Sequence, residues 1–151
     1  MTLDEKFMRA ALREAKKAAD IDEVPVGAVV VRDGKIIARA HNVRETKKIP
    51  TGHAELIAME KAAKRLGGWR LVGCTLYVTL EPCPMCAGCA INARLPRLVF
   101  GAYDGKAGAL CSIYNLNEGK LNHTMEVHGG ILREECASIL SNFFKQKRKS
   151  K

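Results

Sequence analysis

Hydrophobic residues near the start of the chain recur with the period of a helix. Over residues 3–19, Phe7, Ala11, Ala15 and Ala18 follow one another at steps of three and four among charged side chains. This spacing places them on one face and predicts an amphipathic helix.

The pattern then changes to that of two strands joined by a tight turn. After Pro25, residues 26–31 form a mostly apolar run, which is typical of a buried strand. Asp33-Gly34 predicts a two-residue turn, because both residue types adopt positive φ at low cost. Residues 36–40 supply the returning strand, so this region predicts a β-hairpin.

Helices and strands alternate through the rest of the chain. A loop over 42–52 leads to the next element, and Gly67-Gly68 is a strong helix stop. We predict helices at 53–66 and 82–92, strands at 74–79, 98–102 and about 125–128, and a last helix whose apolar face holds Leu132, Cys136, Ile139, Leu140 and Phe143. Strands separated by helices, with a hairpin first, predict an α/β fold with a mixed sheet.

Composition is that of one ordinary folded domain covering residues 1–151. Of these residues 47% are hydrophobic and 27% charged, which argues against disorder. The longest uncharged stretch of strand-like composition, residues 71–80, is far short of the roughly 18 residues of a membrane span. The start of the chain carries an acidic pair where a signal peptide would be basic and then apolar. We therefore expect a cytoplasmic protein that does not enter a membrane.

The net charge of +9 is concentrated at the C-terminal end. Residues 145–151 form a basic tail that carries five of the positive charges. Such a tail suits a polyanion such as nucleic acid, although a solvated helix end would have the same composition.

The six cysteines indicate metal binding rather than disulfides. Cys83, Cys86 and Cys89 recur at steps of three, which is too close for easy mutual bridging and typical of metal ligands. A ferredoxin-type iron–sulfur site would need a fourth cysteine followed by proline, and the chain lacks one, so Cys89 is expected to be packed. The others are expected to be small core residues: Cys74, Cys111 and Cys136.

Two short motifs carry the candidate chemistry. His53-Ala54-Glu55 and Pro82-Cys83-Pro84-Met85-Cys86 each stand at the predicted start of a helix. A helix N-terminus favours the thiolate form of cysteine. One imidazole and two thiolates leave the fourth position of zinc open to water, which is typical of a catalytic site. Glu55 is the candidate general acid and base beside it.

These motifs, His-x-Glu followed by Pro-Cys-x-x-Cys, resemble the signature of the zinc-dependent cytidine deaminase-like superfamily. Within it, the chain most resembles the bacterial tRNA-specific adenosine deaminase family, and the resemblance covers nearly the whole chain. It rests on residues 23–28, 40–42, 76–88, 100–104, 106–108, 121–123 and 140–144.

The resemblance implies a three-layer α/β/α sandwich with a central mixed sheet. It implies one Zn²⁺ per subunit, held by His53, Cys83 and Cys86, with Glu55 carrying protons. The implied reaction is deamination of adenosine to inosine at the wobble position of a tRNA anticodon loop. The implied partners are a tRNA anticodon stem-loop and a second copy of the chain, with RNA crossing both subunits of the homodimer.

Further residues are implied to bind substrate. Asn42 matches the family's base-reading asparagine, and an exposed Phe144 beside the basic tail is a candidate for stacking on a base, because two adjacent rings on a helix cannot both face the core. The remaining candidates are Val26, Ala54, Lys106, Asn122 and His123.

Four positions depart from the family pattern. Ile49 stands where aspartate is usual, Gly52 where alanine is usual, Cys89 where a small residue is usual and Cys111 where glycine is usual. The first two alter the loop that precedes His53 and bear on specificity.

Two other functions remain open from the residues alone. One is deamination of a free nucleobase or nucleoside, of the guanine or cytosine type, with the same zinc chemistry. The other is a non-enzymatic zinc module that binds nucleic acid, which would need a fourth protein ligand and would give Glu55 no role.

Overall fold

A computed structural model describes residues 1–149; Ser150 and Lys151, the end of the predicted basic tail, lie outside the described residues. The elements are α1 (Leu3–Asp20), β1 (Gly27–Arg32), β2 (Lys35–His41), α2 (Arg44–Lys47), α3 (Ala54–Leu66), β3 (Cys74–Leu80), α4 (Pro84–Asn92), β4 (Arg97–Ala102), β5 (Glu126–His128) and α5 (Arg133–Lys149). None of the described helices is long and apolar enough to cross a membrane.

The strands form one mixed sheet in the order β2-β1-β3-β4-β5. β1 is antiparallel to both β2 and β3, whereas β3, β4 and β5 run parallel. The predicted hairpin is confirmed, since Asp33 and Gly34 both take positive φ, 52° and 74°. The parallel part places the carboxyl ends of β3 and β4 at one edge of the sheet, where ligand sites form in such folds.

Helices cover both faces of the sheet and complete the predicted three layers. Phe7 of α1 and Cys136 of α5 pack with Val29 on one face. Ala58 of α3 and Ala87 of α4 belong to the core on the other face, together with the other buried strand residues. Successive side chains of a strand point to opposite faces, so the apolar run in β1 supplies both cores.

The loop between β2 and α3 contains a short helix that its sequence did not predict. α2 has no side-chain cap of its own and buries no residue. Its first N–H groups are bonded instead by Glu23, which is 22 and 23 residues earlier in the chain. Local sequence carries no signal for a helix that is stabilised from such a distance.

Two expectations about the C-terminal third were wrong. Cys111 is exposed rather than part of the core, because it lies in the loop after β4 and faces outward. Leu132 precedes α5 with a positive φ of 53° and is not on the predicted helical face. Of that face Cys136 alone is fully buried, whereas Ile139, Leu140 and Phe143 are half-buried.

Candidate active site

A cleft of about 690 Å³ opens at the carboxyl end of β3. His53 is the N-cap of α3, and Cys83 is the N-cap of α4. Pro84 occupies the first helical position of α4, where its fixed φ is compatible with the helix and its missing N–H has no cost. The sheet thus brings the two predicted motifs together, although 30 residues separate His53 from Cys83.

A compact cluster that could hold a metal ion is formed by His53, Cys83 and Cys86. The Nδ1 atom of His53 lies 3.6 Å from Sγ of Cys83 and 3.5 Å from Sγ of Cys86. A tetrahedral zinc with ordinary Zn–N and Zn–S bonds separates such donors by about 3.6 Å. The donor atoms therefore fit zinc in both type and spacing. Among residues 1–149 the cluster has these three members, so a fourth protein ligand is not part of it.

The cysteines of this set differ in acidity. A hydrogen bond from the Cys86 thiol, with a further one from His53, lowers the pKa of Cys83 to about 4. The same pairing raises the pKa of Cys86, and the hydrogen bond to Cys83 raises the pKa of His53. Metal binding to this set must therefore release protons, which is usual for thiolate and imidazole ligands.

Glu55 lies in the first turn of α3, two residues after His53, and is 4% exposed. Burial raises the pKa of its carboxyl to about 7. Residues two apart do not share a face within a helix, but His53 precedes the first turn, so both side chains line the cleft. A carboxyl of this pKa can both accept and donate a proton near neutral pH.

Three predicted substrate-binding residues form a connected unit at the cleft. Oδ1 of Asn42 accepts a hydrogen bond from the N–H of Ala54 at 2.8 Å. The N–H of Asn42 in turn donates to the carbonyl oxygen of Val26 at 3.1 Å. These bonds fix the Asn42 amide relative to α3, and they leave its Nδ2 donors for a ligand.

The second half of α5 forms one wall of the cleft. Phe143 and Phe144 both line it, with ring centroids 5.5 Å apart and planes at 74°. Phe144 is 44% exposed, as the helical spacing predicted. Lys147, one turn further, forms an ion pair with Asp22 and so ties the helix to the segment after α1.

Three other predicted substrate-binding residues lie away from the lining of the cleft. Lys106 is exposed, and its N–H donates to Oδ1 of Asp104 at 3.0 Å. Asn122 is exposed in the loop before β5. Nε2 of His123 lies 2.7 Å from the carbonyl oxygen of Leu95. The fold of one chain does not bring these residues to the metal donors.

Glu81 is a structural residue of the site that sequence reasoning missed. Its buried carboxylate accepts hydrogen bonds from the N–H groups of Asp104, Leu110, Cys111 and Ser112 and from the Ser112 hydroxyl. It therefore anchors the loop after β4 against the end of β3. A glutamate directly before the Pro-Cys motif was the signal available in the sequence.

Carboxylates outnumber cations in the lining of the cleft. Two fixed cations line it among residues 1–149, Arg44 and Lys147. The acidic residues that line it are Asp22, Glu23, Glu45, Glu55, Glu81 and Asp104. A polyanionic ligand in this cleft would therefore face more negatively charged than positively charged side chains.

A family model described as MafB19-like deaminase matches residues 3–148. The chain is 53% identical to a tRNA-specific adenosine deaminase of Bacillus subtilis (strain 168), over all of this chain and 94% of that protein. It is similar to a structure from biochemical and structural studies of A-to-I editing by tRNA:A34 deaminases at the wobble position of transfer RNA. That match has a TM-score of 0.85 and 44% identity, and covers 89% of this chain and 99% of the other.

A guanine deaminase from Bacillus subtilis is also similar. It is 40% identical, with a TM-score of 0.63, over 66% of this chain and 64% of that chain.

Proposed function

The chain belongs to the MafB19-like deaminases and to the tRNA-specific adenosine deaminases, and on that premise we propose that its cleft converts adenosine to inosine at the wobble position of a tRNA anticodon loop. One observation carries the assignment of the reaction to this cleft. The buried carboxyl of Glu55 lies beside the His53, Cys83 and Cys86 donor set in a single cleft.

We propose that these three donors hold one Zn²⁺ per subunit. Zinc bound there would act as a Lewis acid, which lowers the pKa of a water molecule toward neutrality. The donor types and the 3.5 and 3.6 Å separations support this choice of metal.

Glu55 is the proposed proton carrier. Its carboxylate takes a proton from the attacking water and delivers it to the amino group at C6 of adenine, which leaves as ammonia. Water and adenosine are consumed, and inosine and ammonia are formed. The burial that raises the pKa of this carboxyl to about 7 suits both transfers.

The walls of the cleft are proposed to hold the target base. Asn42 offers its Nδ2 donors to the ring edge, while Val26 and Ala54 supply the backbone frame that holds Asn42. The exposed ring of Phe144 stacks on a base next to the target. An anticodon loop suits this pocket, because its bases can be turned outward at low cost.

The remaining assignments concern the assembly. We propose that residues 1–151 form one deaminase domain and that two copies form a homodimer across which the RNA lies. Lys106, Asn122 and His123 then contact RNA outside the cleft. The proposal places the enzyme in the cytoplasm, where thiolate ligands stay reduced.

A single-turnover assay tests the substrate class. Zinc-loaded protein is given an anticodon stem-loop with adenosine at the wobble position and, in parallel, free guanine, cytosine, adenosine and cytidine. We expect inosine in the stem-loop alone. Turnover of a free base without turnover of the stem-loop would retain the zinc chemistry but replace the tRNA substrate, in line with the guanine deaminase likeness.

A further inference from the structure

Glu23 is hydrogen-bonded to the loop that contains α2. Its carboxylate is 2% exposed. It accepts hydrogen bonds from the N–H of Glu45 at 3.2 Å, and from the N–H and hydroxyl of Thr46 at 2.5 Å each. A buried carboxylate is costly unless it is satisfied in this way, so Glu23 and α2 depend on each other.

The loop that contains α2 joins two functional residues. Asn42 precedes it, His53 follows it, and the N–H of Val43 donates to the carbonyl oxygen of Gly52 at 2.9 Å. A Cβ on Gly52 would lie 2.7 Å from Cα and N of Arg44, which leaves no space for alanine. The glycine thus allows the loop to close tightly, with the start of α2 against its end.

This closure places Arg44 at the mouth of the cleft. Arg44 is exposed and lines the cleft. Among the residues that the structure describes it forms no ion pair, whereas Lys147, the other lining cation, is paired with Asp22. The charge of Arg44 acts on buried Glu23 and lowers the pKa of that carboxyl, but no carboxylate contacts the guanidinium directly within the described part of the chain. An anion that enters the cleft therefore meets a guanidinium that is open to direct contact.

We propose that Arg44 binds a phosphate of the RNA beside the target nucleotide, and that Glu23 is the positioning residue that holds Arg44 in place through α2. This inference rests on the proposed function, because it requires an RNA in the cleft. The planar guanidinium can donate two parallel hydrogen bonds to phosphate oxygens. It also places a positive charge among the six carboxylates that line the same cleft.

Binding of the product RNA tests the contact without turnover. A stem-loop with inosine at the wobble position is titrated by fluorescence anisotropy between about 50 and about 300 mM salt. Arg44→Gln should raise Kd about tenfold at low salt, which is typical for the loss of one charged hydrogen-bonded contact. It should also reduce the slope of log Kd against log salt by about 0.7, the value for one phosphate of a single strand.

Two matched variants separate a specific contact from general charge. Lys47→Gln makes the same charge change on the same short helix, at a residue outside the cleft lining, and should change Kd less than about twofold. Arg44→Lys keeps the charge but cannot donate the two parallel hydrogen bonds of a guanidinium. It should therefore keep the slope of log Kd against log salt and lose part of the affinity.

Neutral methylphosphonate linkages locate the phosphate. Each linkage on either side of the target nucleotide is replaced in turn. One replacement should weaken binding to the wild type and have no further effect on Arg44→Gln. Equal Kd and salt slope for wild type and Arg44→Gln, or an equal loss for Lys47→Gln, would overturn the contact.

The role of Glu23 is tested through Arg44. Glu23→Gln, or the milder Thr46→Val, should weaken RNA binding, and combining either with Arg44→Gln should add no further loss. Additive losses would overturn the positioning role and indicate a general structural one. Wild-type protein that binds the stem-loop but does not deaminate it would refute the proposed function while the phosphate contact could still be measured.

Discussion

The side-chain oxygen of Asn42 accepts a hydrogen bond from the backbone N–H of Ala54 at 2.8 Å, directly between His53 and Glu55. The residue proposed to bind the base is therefore fixed to the same turn that carries the proposed metal ligand and the proposed proton carrier. Any base that Asn42 orients is oriented relative to both.

Asn42→Asp separates the two functions of this amide. Aspartate keeps the oxygen that accepts from Ala54 but has no Nδ2 donors. We expect kcat/KM on the stem-loop to fall about 10- to 100-fold, which corresponds to the loss of one hydrogen bond to the base and an unfavourable charge beside it. Zinc content and melting temperature serve as controls. Activity equal to wild type would show that Nδ2 does not bind the substrate.

Glu55→Gln removes the carboxyl that is proposed to carry protons and preserves the size of the side chain. The single-turnover rate should fall by a factor of about 10² to 10⁴, because a positioned acid and base contributes about that much. Zinc content and affinity for the inosine stem-loop should stay close to those of wild type. If Glu55→Gln is fully active, another group must carry the protons.

Removal of the metal should abolish activity, and zinc should restore it. Cys86→Ser should lose the metal, because Cys86 belongs to the donor cluster. Cys89→Ser is the matched control, since Cys89 lies one turn further along α4 and packs against the core. It should keep one zinc per chain in elemental analysis. Loss of zinc from Cys89→Ser would instead indicate that Cys89 takes part in metal binding.

Gly52→Ala should displace the loop before His53. Its Cβ would lie 2.7 Å from the backbone of Arg44, and relief of such a contact costs about 1–3 kcal/mol. Gly88→Ala is the control, because a Cβ there meets no atom within 4 Å and alanine favours the helix. Urea unfolding should show a loss of stability for the first variant and none for the second.

Asp4→Asn should reveal a pH-dependent contribution to stability. Asp4 lies 2.7 Å from Arg97, and the hydrogen bond from this guanidinium lowers the pKa of the carboxyl from 3.8 to about 2. The charged form therefore stabilises the fold by about 2 kcal/mol above pH 4, and this contribution is lost as the pH falls toward 2.

The measurement is urea unfolding of wild type and Asp4→Asn between about pH 7 and pH 2.5. The difference in the free energy of unfolding between wild type and Asp4→Asn should become smaller below about pH 4. Asp20→Asn, at the exposed end of α1, makes the same charge change and should show a much smaller gap. If the loss of unfolding free energy in Asp4→Asn does not change with pH, the ion pair with Arg97 is not the cause of that loss.

The sequence alone predicted most of the elements and the residues of the His53, Cys83 and Cys86 cluster. Periodicity of three to four predicted α1, the Asp33-Gly34 pair predicted the hairpin turn, and each was confirmed because its cause is local. His53 and Cys83 were recognisable as candidate ligands because zinc accepts only a few residue types, and their spacing in short motifs is visible in the sequence.

Tertiary structure decided what depends on residues far apart in the chain. Burial at the floor of the cleft, not the His-x-Glu motif, raises the pKa of Glu55. Glu23 accepts a hydrogen bond from the start of α2, which lies 22 residues later in the chain. Glu81 accepts one from Cys111, in a loop about 30 residues later. These carboxylates are read as surface charges in a sequence, because hydrogen-bond partners and desolvation exist only after the sheet has brought the segments together.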